Sequence, residues 1–113
     1  MRVTRVVTAF DCGAVVNPDN LRNQIVGATI MGLGGALFEA IDLEDGVVAN
    51  ARLSQYRVPR FSDVPPIEVI VLDRKDARSV GAGETPIVAI APAIGAAIAR
   101  ATGVRPQGMP MAR

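Results

Sequence analysis

The sequence predicts an α+β fold, with two long buried helices packed on a small mixed β-sheet. Residues 18–38 are apolar around most of the circumference of a helix, and a second apolar stripe with helical spacing lies near the C-terminus. Short runs rich in β-branched residues lie outside both segments. The chain has 113 residues, which is enough for one small domain.

The first half of the chain predicts a strand, a helix and a hairpin. Val3 to Phe10 is rich in β-branched residues and predicts a strand. Asn17 is a candidate N-cap and Pro18 suits the first helical position, so we expect a helix from Pro18 to about Phe38. Two short apolar runs, 41–43 and 47–48, flank Glu44-Asp45-Gly46, which is typical of a hairpin turn.

Four glycines interrupt the predicted first helix, and each costs about 1 kcal/mol relative to alanine. They therefore indicate the close approach of another backbone or of a ligand, and close packing of the helix on the sheet is the favoured interpretation. These residues are Gly27, Gly32, Gly34 and Gly35.

The second half predicts a strand, a glycine loop and another helix. Ile67 to Leu72 has a strong strand pattern. The loop Gly81-Ala82-Gly83-Glu84 leads into an apolar stripe with helical spacing, closed by Gly103. This stripe predicts a second buried helix and consists of Ile87, Ile90, Ile94 and Ile98.

The composition excludes several classes of function. The net charge is +1 and the basic residues are scattered, so nucleic acid is not an expected partner. The chain has no histidine and one cysteine, Cys12, which argues against a self-contained catalytic triad, a disulfide or a metal site. The longest uncharged runs, 24–38 and 85–99, are shorter than the roughly 20 residues of a membrane span. Half of the residues are hydrophobic, so we expect an apolar face that contacts something outside this domain.

Two polar residues are candidates for chemistry. Glu84 lies between a glycine loop and a predicted helix start, where the helix dipole favours an ionised base. Gln24 is an amide in an otherwise apolar stretch. Each also has a structural interpretation that is favoured from its position alone: Glu84 complements the helix dipole, and Gln24 is a solvent-side or packed polar residue. Cys12 and Tyr56 are interpreted as a buried small residue and a core or interface residue.

The order of several motifs resembles the C-terminal part of the molybdenum-binding large subunits of the xanthine dehydrogenase and aldehyde oxidoreductase family. The details are most similar to the branch of isoquinoline 1-oxidoreductase beta subunits, and the resemblance covers essentially the whole chain. The motifs are Asp11-Cys12-Gly13, Asn17-Pro18, Leu21-Arg22-Asn23-Gln24-Ile25, Gly32-Leu33-Gly34, Tyr56-Arg57-Val58-Pro59, Val64-Pro65, Asp73-Arg74, Gly81-Ala82-Gly83-Glu84 and Ala101-Thr102-Gly103-Val104-Arg105.

The resemblance implies a role for the candidate residues in a molybdenum hydroxylase. Glu84 matches the glutamate that acts as the catalytic base, and Gln24 matches a glutamine that contacts the molybdenum-pterin cofactor. The backbone at Ala82 and Gly83 would lie near the metal, although no residue of this chain is expected to ligate it. Substrates of the family are aldehydes or nitrogen heterocycles, and the inserted oxygen derives from water.

The resemblance also implies partners, because family large subunits are several times longer than this chain. Residues 1–113 are then the C-terminal portion of a larger cofactor-binding domain, completed by the N-terminal part of the large subunit. Iron-sulfur clusters would lie on a partner subunit, since one cysteine cannot ligate them. The predicted location is the cytoplasm, with the periplasm left open. The alternative is a non-catalytic remnant or interaction domain that self-associates through its apolar faces.

Overall fold

The computed structural model describes residues 1–112. Its helices and strands confirm the predicted α+β class. The strands form two separate two-stranded sheets instead of one mixed sheet. The elements in chain order are β1 (Val6–Asp11), α1 (Pro18–Leu37), β2 (Leu43–Glu44), β3 (Val47–Val48), β4 (Ile67–Leu72) and α2 (Ile90–Thr102), with short 3-10 helices at Phe61–Asp63 and Thr85–Ile87.

The larger sheet consists of β1 and β4, which run parallel with Val6 opposite Ile67. Side chains alternate between its two faces, as expected for strands. On one face Phe10, Val69 and Val71 pack against a buried cluster of Cys12, Leu21 and Ile25. The start of α1 therefore covers this face of the sheet, and the predicted strand over 67–72 is confirmed.

Helix α1 begins where the capping residues predict. Asn17 has extended backbone, and its Oδ1 accepts a hydrogen bond from the backbone N of Asn20 at 3.0 Å. Pro18 occupies the first turn, where its missing N–H costs nothing. The helix ends at Leu37, one residue before the predicted end, with Phe38 as the C-cap.

Replacing the cap residue should destabilise the chain moderately. We expect Asn17→Ala to lower the free energy of unfolding by about 1 kcal/mol, because a helix N–H loses its acceptor. Chemical denaturation followed by circular dichroism measures this change. Asn20→Ala is the matched control, because the Asn20 side chain is exposed and only its backbone takes part in the cap. An equal loss in both variants would contradict the capping role.

The two helices pack on each other through the second half of α1. A Cβ atom added to Gly32 would lie 2.8 Å from the Cβ of Ile90, so the glycine allows close contact between the helices. The contact is helix on helix, whereas the sequence favoured helix-on-sheet packing. The buried residues of this contact are Leu33, Ala36, Leu37, Ile90 and Ile94.

Helix α2 differs from its prediction in two ways. It begins at Ile90, because Ile87 belongs to the preceding 3-10 turn, and only Ile90 and Ile94 are buried. All four isoleucines of the predicted apolar stripe are at least partly buried, because Ile87 and Ile98 are half-buried beside them. Its predicted end at Gly103 is confirmed, with a φ of 76°.

The predicted hairpin is confirmed between β2 and β3. Asp45 and Gly46 have φ values of 50° and 79°, as a two-residue hairpin turn requires. The nearby Asn50, which the sequence did not single out, is buried, and its Nδ2 donates to the carbonyl of Ala40 at 2.8 Å. This amide therefore fixes the base of the hairpin.

A long apolar segment surrounds α2. By length and composition, Thr85–Thr102 is able to cross a membrane, and 17% of it is buried. Length and composition alone are weak evidence, because buried helices of soluble proteins have the same character. The segment does extend further than the uncharged run recognised in the sequence.

Candidate functional site

The glycine loop at 81–84 follows a segment that is tied to the end of β1. Residues 73–80 run beside residues 11–15 and form several backbone hydrogen bonds with them. The backbone N of Ala14 donates to the carbonyl of Ala77 at 3.1 Å, and that of Val80 donates to the carbonyl of Cys12 at 2.9 Å. The position of the glycine loop thus depends on contacts made by the loop after β1.

Gly13 lies at the closest approach between these two segments. Its φ is 75°, and an added Cβ would lie within 2.9 Å of the carbonyl carbon of Arg78. Backbone cannot move aside as a flexible side chain can, so only glycine fits here. In the sequence Gly13 stands out only as part of the Asp11-Cys12-Gly13 motif, and that motif does not reveal this steric role.

Ion pairs at the same end of the sheet reinforce the arrangement. The Arg74 guanidinium donates to the Asp76 carboxylate at 2.9 and 2.7 Å and lies 3.6 Å from the carboxylate of Asp11. The hydrogen bond from Arg74 lowers the pKa of Asp76. All three side chains are largely exposed, so each pair stabilises the fold only slightly.

The structure brings the predicted cofactor-binding residues together. Nε2 of Gln24, on the first turns of α1, donates a hydrogen bond to the carbonyl of Gly83, although 59 residues separate them. Ala82 is half-buried and packs against the cluster of Cys12, Leu21 and Ile25. Gln24, Ala82 and Gly83 therefore form one continuous surface on α1 and the glycine loop.

Glu84 adjoins this surface but does not cap a long helix. It is exposed and precedes the 3-10 turn Thr85–Ile87, and its side chain makes no capping hydrogen bond. Helix α2 begins only at Ile90, with Ala89 as its N-cap. The expectation that the helix dipole acts on Glu84 was therefore wrong, because the dipole acts within the first turn of a helix.

The glycine loop presents backbone N–H groups that the other described residues do not use. Within residues 1–112, the backbone N–H groups of Ala82, Gly83, Glu84 and Thr85 donate to no acceptor. A Cβ added at Gly83 would meet no atom within 4 Å, so the backbone there is open to close approach. Such a row of donors fits a ligand that carries several oxygen or nitrogen acceptors, as a pterin cofactor does.

The described residues contain no cluster of three or more His, Cys, Asp or Glu side chains that could hold a metal ion. Cys12 is a buried free thiol, as its sequence interpretation predicted.

A second polar contact lies at the other end of α1. The Tyr56 hydroxyl donates to Oε2 of Glu39 at 3.0 Å, and this hydrogen bond to a carboxylate raises the pKa of Tyr56. The guanidinium of Arg57 lies 4.0 Å from the ring centre of Phe38. Tyr56 is half-buried, and these contacts hold residues 56–57 against the end of α1.

Comparison with known proteins identifies relatives that are much longer than this chain. The aldehyde oxidoreductase molybdenum-binding subunit PaoC of Escherichia coli K12 is 35% identical, over 98% of this chain and 16% of that protein. The beta subunit of isoquinoline 1-oxidoreductase from Brevundimonas diminuta is 36% identical, over 98% of this chain and 14% of that protein. A nicotinate dehydrogenase subunit of Pseudomonas putida is 38% identical, over 96% of this chain and 9% of that protein. The chain thus spans about one sixth of these relatives or less.

Solved structures of molybdenum-containing enzymes share the fold of this chain. The crystal structure of quinoline 2-oxidoreductase from Pseudomonas putida 86 matches 97% of this chain with a TM-score of 0.80 and 27% identity, and the match covers 15% of that chain. A copper- and molybdenum-containing CO dehydrogenase shares the fold, with a TM-score of 0.77 and 22% identity. The sequence profile of the molybdopterin cofactor-binding domain matches residues 1–65. The chain belongs to the molybdopterin cofactor-binding domain family of xanthine dehydrogenase and aldehyde oxidoreductase large subunits.

Proposed function

We propose that this chain supplies the catalytic base and part of the cofactor site of a molybdenum hydroxylase. The observation that carries the proposal is the hydrogen bond from Gln24 to the carbonyl of Gly83, beside the exposed carboxylate of Glu84. It joins the candidate cofactor contacts and the candidate base in one surface. Family membership supports the same function for that surface.

The molybdenum-pterin cofactor, when bound, supplies the oxidation, in which oxygen from water is inserted into a carbon–hydrogen bond of the substrate. In our proposal Glu84 accepts the proton that this oxygen loses. The Glu84 carboxylate is exposed and bonds to no side chain among the described residues, so it is available for this transfer. A positioned base of this kind accelerates a reaction by about 10² to 10⁴.

Gln24 and the glycine loop orient the cofactor in this proposal. Gln24 uses its Nε2 on the Gly83 carbonyl, which leaves Oε1 without a donor within residues 1–112 and available to a bound group. The free N–H groups of Ala82 and Gly83 provide donors next to it. The chain thereby offers both donors and an acceptor on one side of the cofactor.

Substrates, partners and location belong to the whole assembly. We propose an aldehyde or a nitrogen heterocycle as substrate, in keeping with relatives named for aldehydes, nicotinate and isoquinoline. The N-terminal part of the large subunit would complete residues 1–113 as one cofactor-binding domain, and an iron-sulfur subunit would accept electrons, because Cys12 alone cannot hold a cluster. The cytoplasmic location stays a prediction.

A non-catalytic, self-associating domain is the second candidate. Its support is the exposure of many large hydrophobic side chains, including Val16, Leu53 and Phe61. Molybdenum and pterin content separate the two candidates, measured by elemental analysis and fluorescence on the chain purified alone and with the polypeptide that completes the large subunit. Molybdenum and pterin should be found in the preparation that contains that polypeptide. Their absence from the two preparations would favour the self-associating domain.

Removing the Gln24 amide should weaken cofactor retention. We expect Gln24→Ala to lower the molybdenum and pterin content of the purified assembly severalfold, because the cofactor loses one contact and the Gly83 carbonyl loses its donor. Asn23→Ala is the matched control, since Asn23 is an exposed neighbour with no hydrogen bond from its side chain in residues 1–112. Unchanged cofactor content in Gln24→Ala would remove Gln24 from the site.

A further inference from the structure

The β1–β4 sheet has one face that the described residues leave uncovered. We call it the outer face; its apolar side chains are Val7, Ala9, Ile70 and Leu72. Val7, Ile70 and Leu72 are 50%, 43% and 47% exposed, respectively. Parallel sheets occur almost only with both faces covered, and two strands alone are marginal in water. We therefore expect another structural element to cover this face.

Within the described residues the outer edge of β1 is also unpaired. The backbone N of Val6 donates to the carbonyl of Pro66 at 3.0 Å, so the even-numbered residues of β1 bond to β4. The N–H and C=O groups of successive residues in a strand point to alternate sides, so those of Val7 and Ala9 point away from β4. Neither of them has a hydrogen-bond partner within residues 1–112. A further strand could add here.

The opposite edge of the sheet is partly occupied. The guanidinium of Arg22, from α1, donates to the carbonyl of Val69 at 2.8 Å. This side chain satisfies a carbonyl of β4 that a neighbouring strand would otherwise use. The edge of β1 is thus the open one, and strand addition is expected there and not at β4.

The length of the relatives indicates what covers this surface. In quinoline 2-oxidoreductase the same fold, matched over 97% of this chain, makes up 15% of a longer polypeptide. We infer that a β-strand from the remaining part of the large subunit pairs with the outer edge of β1, and that its apolar side chains cover the outer face. The choice of partner rests on family membership and on the proposed function. The open edge and the exposed face do not depend on either.

Hydrogen exchange at individual backbone amides tests the pairing directly. The chain is compared alone and in complex with the polypeptide that supplies the rest of the large subunit. We expect exchange at the amides of Val7 and Ala9 to slow by at least about tenfold in the complex, because they gain acceptors. The amides of Thr8 and Phe10, which already bond to β4, serve as internal controls. Unchanged exchange at Val7 and Ala9 in the complex would overturn the inference.

Two substitutions test whether the outer edge and the outer face are needed for assembly of the two polypeptides. Ala9→Pro removes an outward N–H without touching the ladder to β4, and Val7→Lys places a charge on the outer face opposite Glu68. Both should reduce co-elution of the two polypeptides by at least about tenfold. Leu53→Lys is the control, because Leu53 is 94% exposed and lies outside the surface, and it should assemble normally.

The outcomes distinguish this inference from the proposed function. A molybdenum-containing complex that tolerates Ala9→Pro and Val7→Lys would overturn the docking surface and leave the proposed function standing. A complex that both substitutions disrupt, but that contains no molybdenum, would support the surface and contradict the function. Protection of Val7 and Ala9 in the chain alone, together with a dimeric mass, would overturn the inference in favour of a second copy.

Discussion

Replacing Glu84 by glutamine should reduce turnover of the reconstituted assembly by about 10² to 10⁴ while its molybdenum content stays unchanged. Glutamine has nearly the same shape as glutamate but cannot accept a proton at this step. Folding should be unaffected, because the Glu84 side chain is exposed and bonds to no other residue among residues 1–112. Steady-state kinetics with an aldehyde or a nitrogen heterocycle, normalised to molybdenum, measure the effect.

The control for this variant is Glu44→Gln. Glu44 is an exposed glutamate of the β2–β3 hairpin, so it reports the general effect of removing one negative charge. It should leave turnover within about twofold of the wild type, as surface substitutions usually have small effects. Near-normal turnover in Glu84→Gln would remove this residue from the mechanism, and loss of molybdenum would assign it to cofactor binding instead.

Local signals in the sequence predicted those helix ends and turns that are set by a few adjacent residues. Asn17 and Pro18 predicted the start of α1, Gly103 the end of α2, and Asp45-Gly46 the hairpin, because capping and turn geometry involve only a few adjacent residues. The start of α2 was missed, since the apolar spacing of Ile87 and Ile90 continues across a 3-10 turn that periodicity cannot distinguish.

Contacts between distant parts of the chain could not be predicted from local patterns. The hydrogen bond of Gln24 to Gly83 spans 59 residues, and no periodicity indicates it. The resemblance to a family was needed to place both residues at one site. The exposure of α2 could not be predicted either, because an apolar helix has the same sequence pattern whether its apolar face is covered or exposed.

The steric role of Gly13 was likewise hidden, and it leads to the largest expected effect on stability. We expect Gly13→Ala to lower the free energy of unfolding by at least about 3 kcal/mol, because alanine is strained at a φ of 75° and its Cβ would overlap the Arg78 carbonyl. The overlap should displace residues 73–80 and, with them, the loop that carries Glu84. Chemical denaturation of the chain measures the first effect, and molybdenum content of the assembly measures the second.

Gly46→Ala provides the matched control for this substitution. Gly46 has nearly the same backbone conformation, with a φ of 79°, but an added Cβ there would meet no atom within 4 Å. Its loss should be about 1 kcal/mol, the cost of placing alanine in a left-handed conformation. The difference between the two variants isolates the close approach of Gly13 to Arg78. Equal losses would mean that backbone conformation alone requires glycine at position 13, and the glycine loop would then not depend on this contact.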